Sequence, residues 1–284
     1  MTRIAVLGPG AVGGLLAAAL ARAQQEVVLV GRPGSVEAVS GAGLEVQSPR
    51  FGTFRTRVRA HEALDVTGDV LVVAVKAPAL AAALDRVTGT PAAVVPLLNG
   101  VEHVAVLGER FGERVVPGVI RVQAHRDGPA RVVHRAPFVE VTLAEPGCPA
   151  LEAALAAAGV DVGRDGDGVD VLWGKLTRLA ALALATAAAD APLGEVRDDA
   201  RAVCAEVATV ARAEGAGLDA AGIADELDGL PDAASSSLRA DVAAGAPHEL
   251  DAIAGAVQRA AARHGLATPC TDRLAAAVAA RALA

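Results

Sequence analysis

The stretch RIAVLGPGAVGGLLAAALARAQQEVVLVGR, residues 3–32, decides the fold of this chain. The apolar run Ile4–Leu7 is short enough for a buried parallel strand, and the Ala- and Leu-rich residues Val12–Ala21 predict a helix. Glu26–Val30 predicts a second strand. The residues GPGAVG, between the first strand and the helix, fit the pattern G-x-G-x-x-G. This order of elements predicts a dinucleotide-binding α/β domain.

Each glycine of the pattern has a physical role in that interpretation. Gly8 allows a tight turn, Gly10 lets a pyrophosphate approach the backbone, and Gly13 lets the helix pack closely on the strand. Ala11 directly precedes the predicted helix and Val12 opens it, and the N-terminal N–H groups and dipole of that helix favour an anion. We therefore predict that these five residues bind the cofactor.

A secretory signal peptide is the alternative interpretation of residues 1–23, with a basic start at Arg3, an apolar centre and small residues in ALARA. Three features oppose it. Gly and Pro interrupt the apolar centre, and removing the segment would leave the strand at residues 26–30 without its partner. The cysteines are odd in number and widely spaced, unlike a disulfide framework: Cys148, Cys204 and Cys270.

The end of the second predicted strand indicates which dinucleotide binds. NAD sites usually carry Asp or Glu about 20 residues after the glycines, whereas here Arg32 follows the strand and the first acid is Glu37. A guanidinium suits a 2′-phosphate, and Ser35 could add a hydroxyl. The alternative is that Arg32 is an ordinary surface arginine. Its position favours NADPH as the cofactor.

Length and composition limit the remaining classes of function. The 284 residues suggest two domains, and the net charge of −7 without a basic run argues against a nucleic-acid partner. Outside the glycine-interrupted N-terminus we find no uninterrupted apolar segment long enough to span a bilayer, so we expect no membrane partner. His125 and His134 have no further ligands at suitable spacing, so we predict no metal site. Few cysteines and no convincing export signal favour the cytoplasm.

The chain contains only two lysines and one asparagine, and all three lie in informative positions. Arginine supplies the other 24 basic residues, so Lys76 and Lys175 are candidates for proton transfer, which arginine cannot perform. Chance survival is the alternative. Lys76 and Asn99 both follow predicted strands, at the sheet edge where α/β folds bind ligands. For Asn99, an ordinary Asn-Gly turn is an equally good interpretation.

Strand signals end near the Gly-rich stretch 164–168, and helices are predicted beyond it. We therefore divide the chain into a Rossmann-type domain at residues 1–166 and an all-helical domain at residues 167–284. In the first domain the later strands at 115–123, 131–133 and 138–143 are expected to extend the sheet with antiparallel pairing, the first two joined by the turn 125–128.

Motifs along most of the chain resemble the ketopantoate reductase (2-dehydropantoate 2-reductase) family. In order, they are GPGAVGG at 8–14, GR at 31–32, VKAP at 75–78, LLNGVE at 97–102, WGKL at 173–176, LGE at 193–195, SSSLRADV at 235–242 and HELDAI at 248–253. The resemblance implies a Rossmann domain followed by a helical domain. It also implies NADPH-dependent reduction of a 2-keto acid to a 2-hydroxy acid, in pantothenate biosynthesis.

The resemblance assigns roles to individual residues. Lys175 is the general acid that protonates the alkoxide left by hydride transfer, and Glu249 is the acid near that lysine and the cofactor ribose. Asn99 orients the substrate beside the cofactor, Ser237 binds the substrate, and Lys76 lies on the cofactor side. For Glu249 the alternative is a favourable acid in a first helical turn, and for Ser237 a helix cap.

One departure from the family pattern concerns the substrate. Family members usually carry asparagines four and eight residues after the catalytic lysine, where this chain has Leu179 and Ala183. The resemblance makes the reduction of ketopantoate to pantoate the leading reaction. Because the two missing asparagines are replaced by apolar residues, a less polar carbonyl or imine is the alternative substrate. Arg178 could compensate for the missing amides. A non-catalytic NADP-binding sensor is a third hypothesis, which the retained Lys175 opposes. The sequence leaves open whether the chain is a monomer or a homodimer.

Overall fold

The computed structural model of this protein describes residues 2–283, which form two compact units. The first unit contains residues 2–98 and 103–168, and the second contains residues 99–102 and 169–283. The predicted fold class is confirmed: an α/β unit is followed by a helical unit. The attachment of residues 99–102 to the helical unit was not expected from the sequence.

The strands all lie in the first unit. Their bounds are β1 Ile4–Leu7, β2 Val27–Val30, β3 Leu44–Ser48, β4 Gly52–Thr56, β5 Arg59–His61, β6 Leu64–Asp65, β7 Val70–Val73, β8 Val87–Thr88, β9 Ala93–Pro96, β10 Gly118–Arg121, β11 Ala124–Arg126, β12 Arg131–His134, β13 Glu140–Leu143 and β14 Asp161–Arg164.

Within residues 2–283, five α-helices accompany these strands, and the helical unit contains six more. The α-helices are α1 Ala11–Arg22, α2 Pro33–Ala42, α3 Leu80–Leu84, α4 His103–Phe111, α5 Pro149–Ala157, α6 Gly168–Ala189, α7 Arg197–Ala213, α8 Ala220–Asp228, α9 Ser237–Ala243, α10 Ala256–Arg263 and α11 Pro269–Ala282. A π-helical segment, Asp251–Gly255, leads into α10.

A parallel sheet in the order β5-β2-β1-β7-β9 forms the centre of the first unit. Its inner strands read as continuous apolar runs because both faces are covered. Ile4 and Val6 point into the core shared with α1, whereas Ala5 and Leu7 point into the opposite core, which includes Leu107 of α4. The segment considered as a signal peptide thus supplies the central strand and its covering helix.

The prediction that the later strands extend the central sheet was wrong, because they form two smaller sheets. The predicted antiparallel pairing does occur within them, between β10 and β13 and between β11 and β12. Strand β10 pairs with β13, and β12 pairs with β11 and β3, in separate sheets. The turn at residues 127–130 therefore joins β11 to β12 and not β10 to β12. These strands form a separate sheet because β12 buries Val132 against α1. The approach is close: a Cβ on Gly14 of α1 would lie 3.0 Å from Cγ2 of Val132.

The helical unit is built around α6, whose buried residues form a separate core with α7, α10 and α11. By length and composition alone α6 could cross a membrane, contrary to the expectation from the sequence. However, 67% of its 18-residue apolar stretch is buried inside the protein. We therefore interpret α6 as a core helix. Small side chains such as Ala180 and Ala187 let its neighbours approach closely.

Candidate active site

The turn between β1 and α1 has the geometry that the glycine pattern requires. Gly8 has a φ of +107°, and a Cβ there would lie 2.8 Å from the Ala74 carbonyl oxygen. A Cβ on Gly13 would lie 2.0 Å from the Gly8 carbonyl oxygen, so helix and turn can approach only with glycine there. A Cβ on Gly10 would meet only one atom, 3.8 Å away. The backbone at residue 10 therefore has room for a pyrophosphate.

The N-terminus of α1 suits an anion as well. Gly10 is the N-cap residue and makes no side-chain capping bond, and no acidic side chain lies in the first turn. Gly31, at the end of β2, lies against the same turn, because a Cβ there would be 2.6 Å from Cγ of Pro9. The residues present thus fit a dinucleotide, with Ala11 and Val12 half-buried at the start of the helix.

Arginine residues gather beside the end of β2. Arg32 is exposed and lies at the N-cap position of α2. Arg126, at the end of β11, donates hydrogen bonds to the carbonyls of Gly128 and Pro129. Although Arg126 as a whole is exposed, burial around its guanidinium and the positive charge of Arg32 lower its pKa. Two neighbouring guanidinium groups make this region favourable for a phosphate.

Lys76 lies at another strand end of the first unit. Two residues separate it from the end of β7, and it directly precedes the 3₁₀ turn Ala77–Ala79. Its side chain is exposed. This location matches the sheet edge expected from the sequence. The contact of Lys76 with a cofactor stays a prediction.

Three of the predicted residues meet in the helical unit. Lys175 projects from the second turn of α6, and Glu249 lies just before the π-helical segment, where its carbonyl accepts a hydrogen bond from Ile253 N–H at 3.0 Å. The Glu249 residue is 8% exposed. Asn99 donates from Nδ2 to Glu249 Oε2 at 2.8 Å. The Asn-Gly turn is also present, since Gly100 has a φ of +86°. A contact of Asn99 with a substrate or cofactor stays a prediction.

The electrostatics of Lys175 suit proton transfer. The residue as a whole is half-buried, and desolvation around the ammonium lowers its pKa from 10.5 to about 8. The negative charge of Glu249 opposes that shift, and the positive charge of Arg178 adds to it. A lysine with a pKa near 8 holds its proton at neutral pH and can release it to a strongly basic oxygen.

Two further positions on the Lys175 side of α6 are apolar. Leu179, one turn further along α6, is half-buried against the helical core, and Ala183 is fully buried. Arg178 forms an ion pair with Glu226, so its guanidinium is already engaged and does not replace the missing asparagines. In the structure, no polar side chain at positions 178, 179 or 183 takes the place of the two asparagines that the family usually carries.

Ser237 is the first residue of α9 and is exposed. The helix cap is its neighbour Ser236, whose Oγ accepts from Arg239 N–H at 3.1 Å and pairs with Thr186 Oγ at 2.9 Å. Ser237 is therefore not the capping residue that the alternative interpretation suggested. Its role in substrate binding stays a prediction.

A glycine-turn α/β unit followed by a helical unit with a desolvated lysine defines a class of dinucleotide-dependent oxidoreductases. Two family models narrow that class: "Ketopantoate reductase PanE/ApbA" matches residues 4–146, and its C-terminal counterpart matches residues 169–282. The chain belongs to the ketopantoate reductase family, whose members are oxidoreductases acting on CH–OH groups.

Individual relatives agree with this assignment. The chain is 35% identical over 305 residues to a 2-dehydropantoate 2-reductase of Caulobacter vibrioides, with all of both chains covered. It is 33% identical to the Mycobacterium tuberculosis enzyme of the same name, with 96% and 95% covered. These names support reduction of ketopantoate.

Solved structures give the same fold. A family ketopantoate reductase from Ralstonia eutropha superposes with a TM-score of 0.87 at 29% identity, covering 99% of this chain and 98% of that one. D-mandelate dehydrogenase with NADH and anilino(oxo)acetate gives 0.87 at 21% identity, covering 99% and 98%. A dimeric ketopantoate reductase from Staphylococcus aureus gives 0.81 at 22% identity, covering 99% of each. At these two lower identities the likeness concerns the fold alone.

Sequence reasoning missed two arginines that the structure places beside predicted site residues. Arg126 lies near Arg32, although 94 positions separate them. Arg259 binds Glu102, which is 157 positions away and directly follows the Asn99 turn. Neither arginine lies in a motif, and only the tertiary fold brings these pairs together.

Proposed function

We propose that this chain uses NADPH to reduce a 2-keto acid to a 2-hydroxy acid, that ketopantoate is its substrate, and that Lys175 is the general acid. The observation that carries the proposal is the desolvated Lys175 ammonium, with a pKa of about 8, in the same unit as the hydrogen-bonded pair Asn99–Glu249. Family membership supports ketopantoate, and the glycine turn supports a dinucleotide.

The proton chemistry follows from these groups. When bound, the nicotinamide supplies a hydride to the substrate carbonyl carbon, and the carbonyl oxygen becomes an alkoxide. Lys175 donates a proton from Nζ to that oxygen, and its positive charge stabilises the oxygen as negative charge develops. Glu249 keeps the ammonium protonated before the reaction by raising its pKa. Asn99 holds the Glu249 carboxylate in place.

NADPH specificity is proposed from the arginines at the end of β2. Arg32 supplies a guanidinium where an NAD site carries an acid, and Arg126 adds a second cation beside it. Lys76 adds a third positive charge on the cofactor side. We expect Arg32→Ala to raise the Kd of NADPH at least about tenfold while the Kd of NADH changes little, because only NADPH carries the 2′-phosphate. Equal weakening of both cofactors would contradict this assignment of Arg32.

A less polar 2-keto acid is the second candidate substrate. Leu179 and Ala183 replace two amides, and Arg178 is engaged by Glu226, so the Lys175 face of α6 offers few polar partners. Each hydroxyl group that loses its partner in a buried site costs about 1–3 kcal/mol of binding free energy. This argument favours a substrate with an aliphatic side chain over one with a free hydroxyl.

One assay separates the hypotheses. NADPH oxidation is followed with ketopantoate and with aliphatic 2-keto acids that lack its hydroxyl, for the natural chain and for Lys175→Ala. Efficient turnover of ketopantoate supports the proposal, whereas efficient turnover of only the aliphatic acids favours the second candidate. NADPH binding without turnover would indicate a sensor. For Lys175→Ala we expect kcat to fall about 10²- to 10⁴-fold, and for Lys76→Ala we expect mainly a higher KM for NADPH.

We further propose that the protein acts in the cytoplasm and forms a homodimer. The small number of cysteines supports the first statement, and the dimeric relative from Staphylococcus aureus suggests the second. Light scattering on the purified chain measures the molar mass directly. A mass of one chain at micromolar concentration would contradict the dimer.

A further inference from the structure

Residues 99–102 are attached to the helical unit by three kinds of contact. Asn99 donates to Glu249, as described above. Gly100 lies so close to the π-helical segment that a Cβ there would be 2.5 Å from the Ala252 carbonyl oxygen. Glu102 accepts two hydrogen bonds from Arg259, at 2.8 Å from Nε and 2.7 Å from Nη2. The turn that carries Asn99 is thus fixed at both of its ends.

The same guanidinium also holds the segment that follows Glu249. Arg259 Nη1 donates to Asp251 Oδ1 at 2.8 Å, and this ion pair passes over Gly255, where a Cβ would lie 2.3 Å from Asp251 Oδ1. Asp251 opens the π-helical segment, two residues after Glu249. A π-helical turn is a rare form that often occurs at functional sites. Arg259 therefore connects the segments that carry Asn99 and Glu249.

We propose that Arg259 is a positioning residue of the active site: by binding Glu102 and Asp251 at once, it sets the distance between Asn99 and Glu249. The proposal rests on the proposed function, because it assigns Glu249 its role beside Lys175. A guanidinium suits this task since its planar fork fixes direction as well as distance. Arg259 acts through Glu249 and Asn99, not by touching the substrate.

The exposure of these groups makes the proposal testable. The side chains of Arg259, Glu102 and Asp251 are 45%, 43% and 82% exposed. Ion pairs this exposed contribute little to stability. A purely structural role for Arg259 would therefore leave kcat nearly unchanged when the ion pair is removed. A positioning role predicts a loss of kcat much larger than the loss of stability, because a displacement of about 1 Å in an active site can lower the rate about 10²-fold.

The experiment compares Arg259→Gln, Glu102→Gln and the double variant with Arg263→Gln in the full chain. Arg263 is the matched control, because it lies one turn further along α10 and pairs with Glu214. We expect kcat to fall about 10- to 100-fold in both single variants, with the KM for NADPH unchanged. The double variant should be no slower than the singles, and Arg259→Lys should recover part of the rate.

A second readout does not depend on activity. The chain has only two lysines, so carbon-13-labelled lysine gives two titrating NMR signals, and Lys76→Arg assigns them. Glu249 and Arg178 are the charged groups that act on Lys175. If Arg259→Gln lets Glu249 move away from the ammonium, the pKa of Lys175 falls, whereas in Arg263→Gln it stays the same.

Three results would overturn the proposal. The first is an unchanged Lys175 pKa in Arg259→Gln, and the second is a kcat equal to that of the Arg263→Gln control. The third is a denaturation midpoint that collapses together with kcat, which would make the role structural. If the natural chain reduces no 2-keto acid, the proposed function fails, and the NMR titration still tests the positioning of Glu249 by Arg259.

Discussion

Replacing Lys175 by methionine should abolish proton donation and at the same time stabilise the helical unit. Desolvation lowers the pKa of Lys175 from 10.5 to about 8, and each pH unit of difference corresponds to about 1.36 kcal/mol. Holding this ammonium charged in the folded protein at pH 7 thus costs up to about 3 kcal/mol. Methionine has a similar length and no charge, so Lys175→Met should raise the free energy of unfolding at pH 7 by up to that amount.

The pH dependence of the free energy of unfolding tests separately whether the Lys175 ammonium destabilises the folded protein. Between about pH 8 and 10.5 the unfolded chain binds the Lys175 proton and the folded chain does not. The contribution of this group to stability therefore rises with pH across that window, and below pH 8 the full cost is present. The natural chain should gain stability relative to Lys175→Met as the pH increases from 8 to 10.5.

Trp173 makes the measurement specific to the helical unit. It is the chain's single tryptophan, it is 3% exposed, and it lies on α6 two residues before Lys175. Denaturant unfolding followed by its fluorescence gives the free energy of unfolding at each pH. Lys76→Met is the matched control, because that lysine is exposed in the other unit and its loss should leave the Trp173 transition unchanged. The reasoning is refuted if Lys175→Met destabilises the unit at pH 7 or follows the natural chain at every pH.

Three further changes have defined outcomes. Glu249→Gln removes the negative charge that raises the pKa of Lys175, so the pH at which the reduction rate falls should shift from about 8 to lower values; a shift upwards would contradict the assignment. Gly13→Ala places a methyl group 2.0 Å from the Gly8 carbonyl oxygen, so it should destabilise the first unit by about 1–3 kcal/mol or more and abolish NADPH binding, measured by calorimetry. Leu179→Asn restores an amide beside Lys175 and should raise kcat/KM for ketopantoate relative to an aliphatic 2-keto acid; an unchanged ratio would show that this position does not contact the hydroxyl.

Local sequence patterns predicted most of the helices, strands and turns, because these elements depend mainly on residues that are close together in the sequence. The apolar run of β1, the glycine turn and the long apolar helix α6 all appear where the sequence placed them. The sequence also predicts a helix over residues 79–87, directly after Pro78. In the structure the helix α3 ends at Leu84, and Val87 joins a parallel pair with Leu64. There the burial of Val87 outweighs the local preference for helix.

Contacts between distant parts of the chain were not predictable in this way. The pairing of β10 with β13 joins residues that are 19 to 25 positions apart, such as Arg121 with Glu140 and Gly118 with Leu143, and no pattern within β10 indicates its partner. The candidate site also contains both predictable and unpredictable features. Lys175 was predicted because lysine is rare in this chain, whereas no sequence pattern indicates the ion pair between Glu102 and Arg259. Family resemblance located Glu249, but only the structure shows its hydrogen bond with Asn99.

The apolar character of the Lys175 face and the low pKa of Lys175 have a common physical origin. A polar amide at position 179, one helical turn from Lys175, could solvate the ammonium, whereas Leu179 cannot. Desolvation is the largest cause of the lowered pKa, and it brings the pKa of the proposed proton donor closer to neutral pH. We infer that Leu179, which offers no amide partner to a substrate hydroxyl, also makes Lys175 a stronger acid. Restoring an asparagine at position 179 should reverse both effects together, with a higher Lys175 pKa accompanying better use of ketopantoate.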